Sequence, residues 1–551
     1  MSELKKYIVT LHNHEDLDAF YEDMENPGGN LYIPDRAVDL VARRPNSRNT
    51  HYLLTDVEAE QIKNDPRVWN VELEEMVTRS RRPMYTQTSS DWNKSSTENS
   101  NHVNWGLLRC FEAVQRSNWG SNGTASQSGT ITINAEGRNV DVVIVDGHIN
   151  PAHPEFAVNS DGTGGSRVNQ YNWYQHTNAI TGGSNGTYVY TPYVDGNSEL
   201  TADNNHGCHV AGTVAGNQQG WARQANIYNI SPYGTNPNII AVNYLYDYIK
   251  AFHSNKSVNP ATGRKNPTIL NCSFGNELQW NYTDSFGDVW GPVERITYQG
   301  VQFNRTGGLT VQEMTDRGLY TTTTSPIIPY YSTSEEADII DLINMGVIIV
   351  AAAGNRSFYT CNSTDTNANN TYRAALNGTY YTLYLHRGTA PAAIANVISV
   401  GAIGSTVNET KATYSNTGPG VDIFAPGTVI MSSLNSGSTV DSRNASYYIG
   451  KISGTSMASP QVCGVLACAL EAYPTMNQIQ ARDYLLGTAK LAQMTDTGGS
   501  FTDLTSLNGA SNRYLAFKQE KNNQGQLFPR TNYWVRPSSG AVYPRSRIRR
   551  I

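Results

Sequence analysis

Four short runs between residues 141 and 403 are apolar without alternation: DVVIVD (Asp141–Asp146), TILNCSF (Thr268–Phe274), GVIIVAAAG (Gly346–Gly354) and VISVGAI (Val397–Ile403). Runs of this length, bounded by turn residues and rich in β-branched side chains, predict strands buried on both faces. Helical patterns lie between and after them, including the small-residue stretch HGCHVAGTVAG from His206 and the long apolar stretch from Ser456 to Pro474. Strands of this kind separated by helices predict an α/β unit, a parallel sheet with helices on both faces. The first 76 residues read differently. KYIVTL, RAVDLVA, THYLL and VWNVELEE are strand-like, and EDLDAFYEDME and TDVEAEQIKNDP are helix-like. In the second helix Thr55 stands three residues before Glu58, the spacing of a capping box, and Asp65-Pro66 ends it. The order β-α-β-β-α-β describes a small α+β domain with its helices on one face of an antiparallel sheet.

These patterns divide the chain into residues 1–76, a linker at 77–102 that is basic and then Ser/Thr/Asn-rich, a large α/β domain at 103–494, and a C-terminal extension at 495–551. Linkers of this composition invite proteolysis. Long polar insertions interrupt the large domain around 159–203, 276–334 and 357–388. Beyond Lys521 the chain has six arginines and no acid, read as a solvated tail.

Length and charge narrow the function classes. With 551 residues and a net charge of −6, the chain is long enough for several domains and carries no bulk charge suited to nucleic acid or to a membrane surface. The longest apolar run is too short to span a bilayer. No apolar leader core stands in the first residues, so the expectation is an intracellular protein or a virus-associated one, the latter in keeping with the Asn/Tyr-rich composition and the Arg-rich end. Six dispersed cysteines with no CxxC pair suggest free buried thiols. The Asn-x-Ser/Thr triplets at Asn185 and Asn377 are read as by-products of composition.

Four places carry candidate chemistry. Asp146 ends the first buried strand, a position equally open to a helix cap. His206 begins a helix whose small residues let it pack closely under the sheet. His209, three residues on, raises a metal alternative, but no third ligand follows at a recognisable spacing. Asn355 ends the strand GVIIVAAAG. Ser456 stands in SGTSMASPQVCGV at the start of a helix, where the positive dipole end and free N–H groups favour a developing oxyanion.

Taken together, these strings resemble the subtilases, the subtilisin-like serine proteases. SGTSMASPQVCGV and HGCHVAGTVAG are similar to that family's serine and histidine signatures, VVIVDGHINPAHPEF to its aspartate segment, VIIVAAAGN to its oxyanion strand, and ATYSNTGPGVDIFAPG to a core loop. The resemblance runs from about Val103 to Met494. It implies a subtilisin-like fold and a serine endopeptidase with Ser456 as nucleophile, His206 as base, Asp146 as its orienting partner and Asn355 in the oxyanion hole. It implies substrate binding at Ser273, Phe274 and Gly275, and a protein or peptide as substrate. It also implies that the first 76 residues are an inhibitory propeptide whose last strand lies in the active site, making the chain a self-inhibited precursor cut between Met76 and about Asn101. No cofactor is needed for that chemistry. The family's commonest calcium loop is missing after Gly216, which leaves structural calcium open only at other places.

Besides the missing calcium loop, the sequence departs from the family at two points. Gly147 and His148 follow Asp146, where the family has Ser or Thr and then Gly, and this leaves open a second reading, a catalytically weak subtilase-fold interaction or virion component. Cys208 replaces a threonine, which implies sensitivity to mercurials or oxidation if the thiol is reachable.

Overall fold

The computed structural model describes residues 4–34, 48–73, 85–95, 102–113, 115, 119, 125–173, 205–231, 242–362 and 364–517. The strand expected at RAVDLVA, most of the insertion at 159–203, the cut region beyond Met76, Asn185 and the Arg-rich tail lie mainly or wholly outside these residues. Contacts divide the chain into two units, Met1–Met84 and Tyr85–Ile551.

In the first unit, strands β1 (Lys5–Leu11), β2 (Asn49–Leu54) and β3 (Val68–Leu73) form an antiparallel sheet in the order β2-β1-β3. Helices Leu17–Glu25 and Asp56–Lys63 supply Leu17, Phe20, Tyr21, Met24, Ala59 and Ile62 to its core. Thr55 caps the second helix reciprocally with Glu58: the Thr55 N–H donates to Glu58 Oε2 at 2.7 Å and the Glu58 N–H to the Thr55 hydroxyl at 3.3 Å.

The second unit begins earlier than the apolar pattern suggested. Residues 85–95, read from the sequence as linker, enter it through β4 (Tyr85–Trp92), which pairs antiparallel with β5 (Gln127–Ile133). This strand was hidden because five of its eight residues are Ser, Thr or Gln, and only its two ends, Tyr85 and Trp92, meet the core. Just beyond it, the fully buried Lys94 ammonium meets Glu409 at 2.6 Å. Arg109, on the helix Trp105–Glu112, binds the same carboxylate through Nη2 at 2.7 Å. Partners 300 and 315 residues apart leave no local signal.

The main sheet is built from β6 (Asp141–Val145), β7 (Val168–Asn169), β8 (Asn226–Ile230) and β9 (Thr268–Cys272). The first insertion then adds β10 (Glu277–Gln279), β11 (Tyr282–Thr283), β12 (Val289–Trp290), β13 (Arg295–Tyr298), β14 (Val301–Asn304) and β15 (Ile327–Pro329). The frame resumes with β16 (Ile348–Ala352), and a second insertion contributes β17 (Thr371–Leu376) and β18 (Thr379–Tyr384). Next come β19 (Ile398–Ile403) and β20 (Ile423–Pro426), the three-stranded antiparallel sheet of β21 (Ile430–Leu434), β22 (Thr439–Asp441) and β23 (Asn444–Ile452), and finally β24 (Lys490–Leu491) and β25 (Arg513–Tyr514). The main sheet runs β24-β25-β20-β19-β16-β9-β6-β8-β7 and is parallel apart from β24.

Strand β6 shows why its residues carry no polar alternation. Val142 and Ile144 enter one core, shared with the helices His206–Ala215 and Thr455–Ala472. Val143 and Val145 enter a second core, shared with the helices Val242–Asn255 and Thr333–Asn344. Both faces are covered, as the apolar runs predict. The C-terminal boundary moves outward from 494, because β25 pairs with β20 and Tyr514, Leu515 and Phe517 are buried in the first core.

Candidate active site

Asp146 follows β6 at the carboxyl end of the sheet. Its carboxylate is nearly buried and lies 2.8 and 3.0 Å from Nδ1 of His206, the first residue of its helix. The same carboxylate accepts the N–H of Gly147 at 2.7 Å. An Nδ1 facing a carboxylate carries the proton, which leaves Nε2 as the basic nitrogen.

The turn after Asp146 is held against the His206 helix through its backbone. A side-chain carbon on Gly207 would fall 2.1 Å from the carbonyl oxygen of Gly147, so the backbones of the His206 helix and the Asp146 turn are in direct contact. Two asparagines hold the turn. Asn229 on β8 donates to the Gly147 carbonyl at 3.1 Å. Asn435, after β21, donates to the His148 carbonyl at 2.9 Å and accepts the Asn150 N–H at 3.2 Å. Its neighbour Ser436 donates its N–H to the Asn205 side chain at 3.0 Å, tying the start of the His206 helix to the same loop.

Beneath His206 the helix is packed for closeness. Ser432 and Ser433 on β21 donate to the carbonyls of His209 and Cys208, and their hydroxyls occupy the space a side chain at Gly212 would need. His209 is fully buried with Nε2 2.7 Å from the Ile430 carbonyl, and burial pushes its pKa down to about 3. It is a neutral structural clamp. Among the described residues no three His, Cys, Asp or Glu side chains gather as a metal site. Burial pushes the Cys208 thiol up to about 12, which removes the thiolate on which mercurial sensitivity depends.

Ser456 is the second residue of its helix, and its hydroxyl donates to the Ser273 carbonyl at 3.0 Å. Ser273 returns a bond, its own hydroxyl donating to the Ser456 carbonyl at 2.9 Å. The reason lies one turn along. Pro460 has no N–H, so the Ser456 carbonyl has lost its helical partner, and Ser273 replaces it. Asn271 orients Ser273 through a 2.8 Å bond and accepts from Ser459 at 2.9 Å. Of the expected substrate-binding residues, Ser273 thus points its side chain under the serine helix. Phe274 is half-buried against the second core, and Gly275 abuts Thr389, whose Oγ1 would lie 2.4 Å from a side-chain carbon there. The segment has already left β9, which is an interior strand between β6 and β16.

Asn355 is exposed at the end of β16. Its Oδ1 accepts both the N–H of Thr455 at 2.8 Å and the Thr455 hydroxyl at 2.9 Å, which fixes the amide so that Nδ2 is the outward donor. A side-chain carbon on Gly454 would stand 3.4 Å from that Nδ2 and 3.6 Å from the Ser456 nitrogen, so the two N–H donors border one small space. Gly354, at φ +107, makes the turn. Asn416 clamps it by donating to the Ala353 carbonyl at 2.7 Å and accepting the N–H groups of Arg356 and Phe358 at 3.1 and 3.0 Å. The clamping roles of Asn229, Asn416 and Asn435 escaped sequence reasoning, although Asn416 lies in the string ATYSNTGPGVDIFAPG, because each role depends on partners distant in the chain.

The sequence profile of the subtilase family matches residues 137–525. Alkaline serine exoprotease A of Vibrio alginolyticus is 23% identical over 456 residues, which is 82% of this chain and 57% of that protein. The extracellular serine proteinase of Thermus sp. is 25% identical over 69% of this chain and 63% of its own length. Subtilisin DY of Bacillus licheniformis is 27% identical over 56% of this chain and 77% of its own length. The chain thus spans less than two thirds of the length of the first two. Among solved structures, a cold adapted subtilisin-like serine proteinase aligns with a TM-score of 0.43 and 20% identity, over 76% of this chain and 98% of that one.

Proposed function

The chain belongs to the subtilase family, and from this premise we propose that it is a serine endopeptidase acting through Asp146, His206 and Ser456. The observation that carries the reading is the 2.8 Å approach of His206 Nδ1 to a nearly buried Asp146 carboxylate, on a chain whose Ser456 opens a buried helix beside Asn355.

In the proposed reaction an extended polypeptide places its scissile carbonyl at Ser456. One hydroxyl carries one proton, so the bond from Ser456 to the Ser273 carbonyl is exchanged for one to His206 before attack. His206 Nε2 takes that proton, and the imidazolium is stabilised by Asp146. The tetrahedral oxyanion is received by Asn355 Nδ2 and the Ser456 N–H, the two donors that border the space at Gly454. His206 then protonates the leaving amine, and water repeats the sequence on the acyl-enzyme. In this reading the N-terminal unit is an inhibitory propeptide removed by the enzyme's own active site.

The test is labelling by a fluorophosphonate probe. The matured wild type should label and Ser456→Ala should not, and Ser456→Ala should stay full-length when pure. Absence of label on the matured wild type would refute the assignment.

A further inference from the structure

The two insertions that look like polar decoration combine into one antiparallel sheet. Strands β11 to β14 come from the first, and β17 and β18 from the second. One face covers a core of its own that includes Trp280, Ile296, Leu309, Tyr372 and Ala374. The opposite face follows from the register. Arg295 on β13 stands directly across from Arg373 on β17. Arg373 in turn faces Thr382 on β18, and Ala375 and Thr371 face Tyr380 and Tyr384. On β14, Asn304 and Gln302 complete the face beside Arg295 and Thr297. Cross-strand partners share a face, so these positions present adjacent arginines among Tyr, Thr, Asn and Gln, with no acid among them.

Like charges directly opposite one another destabilise a sheet. Among the described residues Arg295, Arg373 and Arg387 make no ion pair. Ion pairing within the fold gives no account of their placement. Two of the guanidiniums are also oriented, Arg373 lying 3.7 Å over the Tyr380 ring and Arg387 3.3 Å over the Tyr384 ring. Glu294 sits at the rim, where its carboxylate accepts from the Tyr380 hydroxyl at 2.8 Å. Planar guanidiniums stacked on rings are pre-set for two-point binding of carboxylates. They also cover the ring faces on which nucleic-acid bases would stack. The sheet is tethered to the candidate site at three places. Glu277 follows Gly275 by two residues, Arg356 follows Asn355, and the strand returning from β18 reaches Thr389 against Gly275. Arg356 and Glu277 are themselves paired at 2.9 Å.

We propose that this arginine-bearing sheet face is an exosite that captures an Asp/Glu-rich segment of the polypeptide substrate. The inference rests on the endopeptidase reading for its ligand, and its test does not require turnover. Full-length protein carrying Ser456→Ala is titrated with a labelled Asp/Glu-rich peptide and with its Asn/Gln counterpart, and anisotropy is followed at low and high salt. The acidic peptide should bind more tightly, and the preference should fade with salt. Adding Arg295→Ala and Arg373→Ala should weaken acidic-peptide binding by about fivefold, as expected for two partly exposed charge pairs. The melting temperature of that variant should shift by no more than about 1 °C, because a like-charge pair and the Arg373–Tyr380 stacking contact are lost together, and Arg295→Lys with Arg373→Lys should retain part of the preference. Equal binding of the two peptides, or binding indifferent to the double Ala variant, would overturn the proposal. So would a fall of several degrees in melting temperature, which would show that the arginines serve the sheet, or arginine-dependent binding of single-stranded DNA or heparin tighter than that of the peptide. If instead the wild type fails to label with fluorophosphonate while the acidic peptide still binds, the protease reading has failed and the exosite has not.

Discussion

The reciprocal bonds between Ser273 and Ser456 make a prediction that separates packing from chemistry. Ser273→Ala removes the hydroxyl that satisfies the Ser456 carbonyl at 2.9 Å and leaves the Asn271 amide, 2.8 Å away, without its acceptor. It keeps the Ser273 carbonyl to which the Ser456 hydroxyl donates. Both lost bonds are buried, so the cost is that of unsatisfied interior groups, about 1–3 kcal/mol. An unfolding entropy of about 2 cal/mol/K per residue makes a unit of several hundred residues shift by about 1 °C per kcal/mol, or about 1–3 °C in all. If the start of the serine helix moves as well, each 1.4 kcal/mol of lost transition-state positioning lowers kcat about tenfold. Pro460→Ala supplies the missing N–H one turn along and offers the same carbonyl a helical partner. The double variant Ser273→Ala, Pro460→Ala should therefore regain stability relative to Ser273→Ala alone, with a coupling of about 0.5–1.5 kcal/mol, the net worth of one hydrogen bond. Scanning calorimetry in the Ser456→Ala background measures the stability terms without self-digestion, and kcat on a chromogenic peptide measures the rest. Strictly additive effects of the two substitutions would refute the claim that Ser273 replaces the bond Pro460 cannot make.

Three further expectations follow from the same geometry. Asn355→Ala should lower kcat by about 10²–10³ with KM little changed, because the donor is needed only as the oxyanion forms; comparable losses in kcat and binding would place Asn355 elsewhere. His209 and His386 are buried and pushed down to about 3 and about 4. Their folded values lie below the ordinary value near 6.5, so the unfolded chain binds more protons in between. Stability should decline as pH falls from about 6.5 toward 4, and His209→Gln should flatten that decline in a Tm series. Lys94 neutralises a fully buried Glu409, so the matured enzyme should retain Tyr85–Ser95, and Lys94→Met should cost up to about 3–5 kcal/mol, less whatever Arg109 makes good. Amino-terminal sequencing that finds the mature chain beginning after Ser95 would contradict this.

What the sequence could and could not reveal divides along physical lines. The buried strands were legible because two cores require apolar side chains on alternate faces, and Val142 to Val145 have no other use. The candidate nucleophile, base and amide were legible because each sits at an element terminus with a dense local string around it. Strand β4 was not, because a Ser/Thr-rich strand signals its role only through its partner, and the pairing of Tyr85 with Ile133 spans the length of a small domain. The same holds for the ion group of Lys94, Arg109 and Glu409, and for the sheet assembled from two separated insertions.

The turn Asp146-Gly147-His148 shows how such distant support changes the meaning of a local departure. Read alone, the displaced glycine put the aim of the carboxylate in question and kept a weak-enzyme reading open. In the fold Gly147 receives the backbone of Gly207, and its N–H satisfies one lone pair of the carboxylate. Asn229 and Asn435 take up the carbonyls of the two altered residues, Gly147 and His148. A side chain at Gly207 would meet the Gly147 carbonyl oxygen at 2.1 Å and could not be accommodated without moving the His206 helix away from the Asp146 turn. The altered turn is thus held by side chains 82 and 287 positions away. With the Asp146 carboxylate 2.8 Å from His206 Nδ1, the moved glycine has not displaced the carboxylate from the histidine.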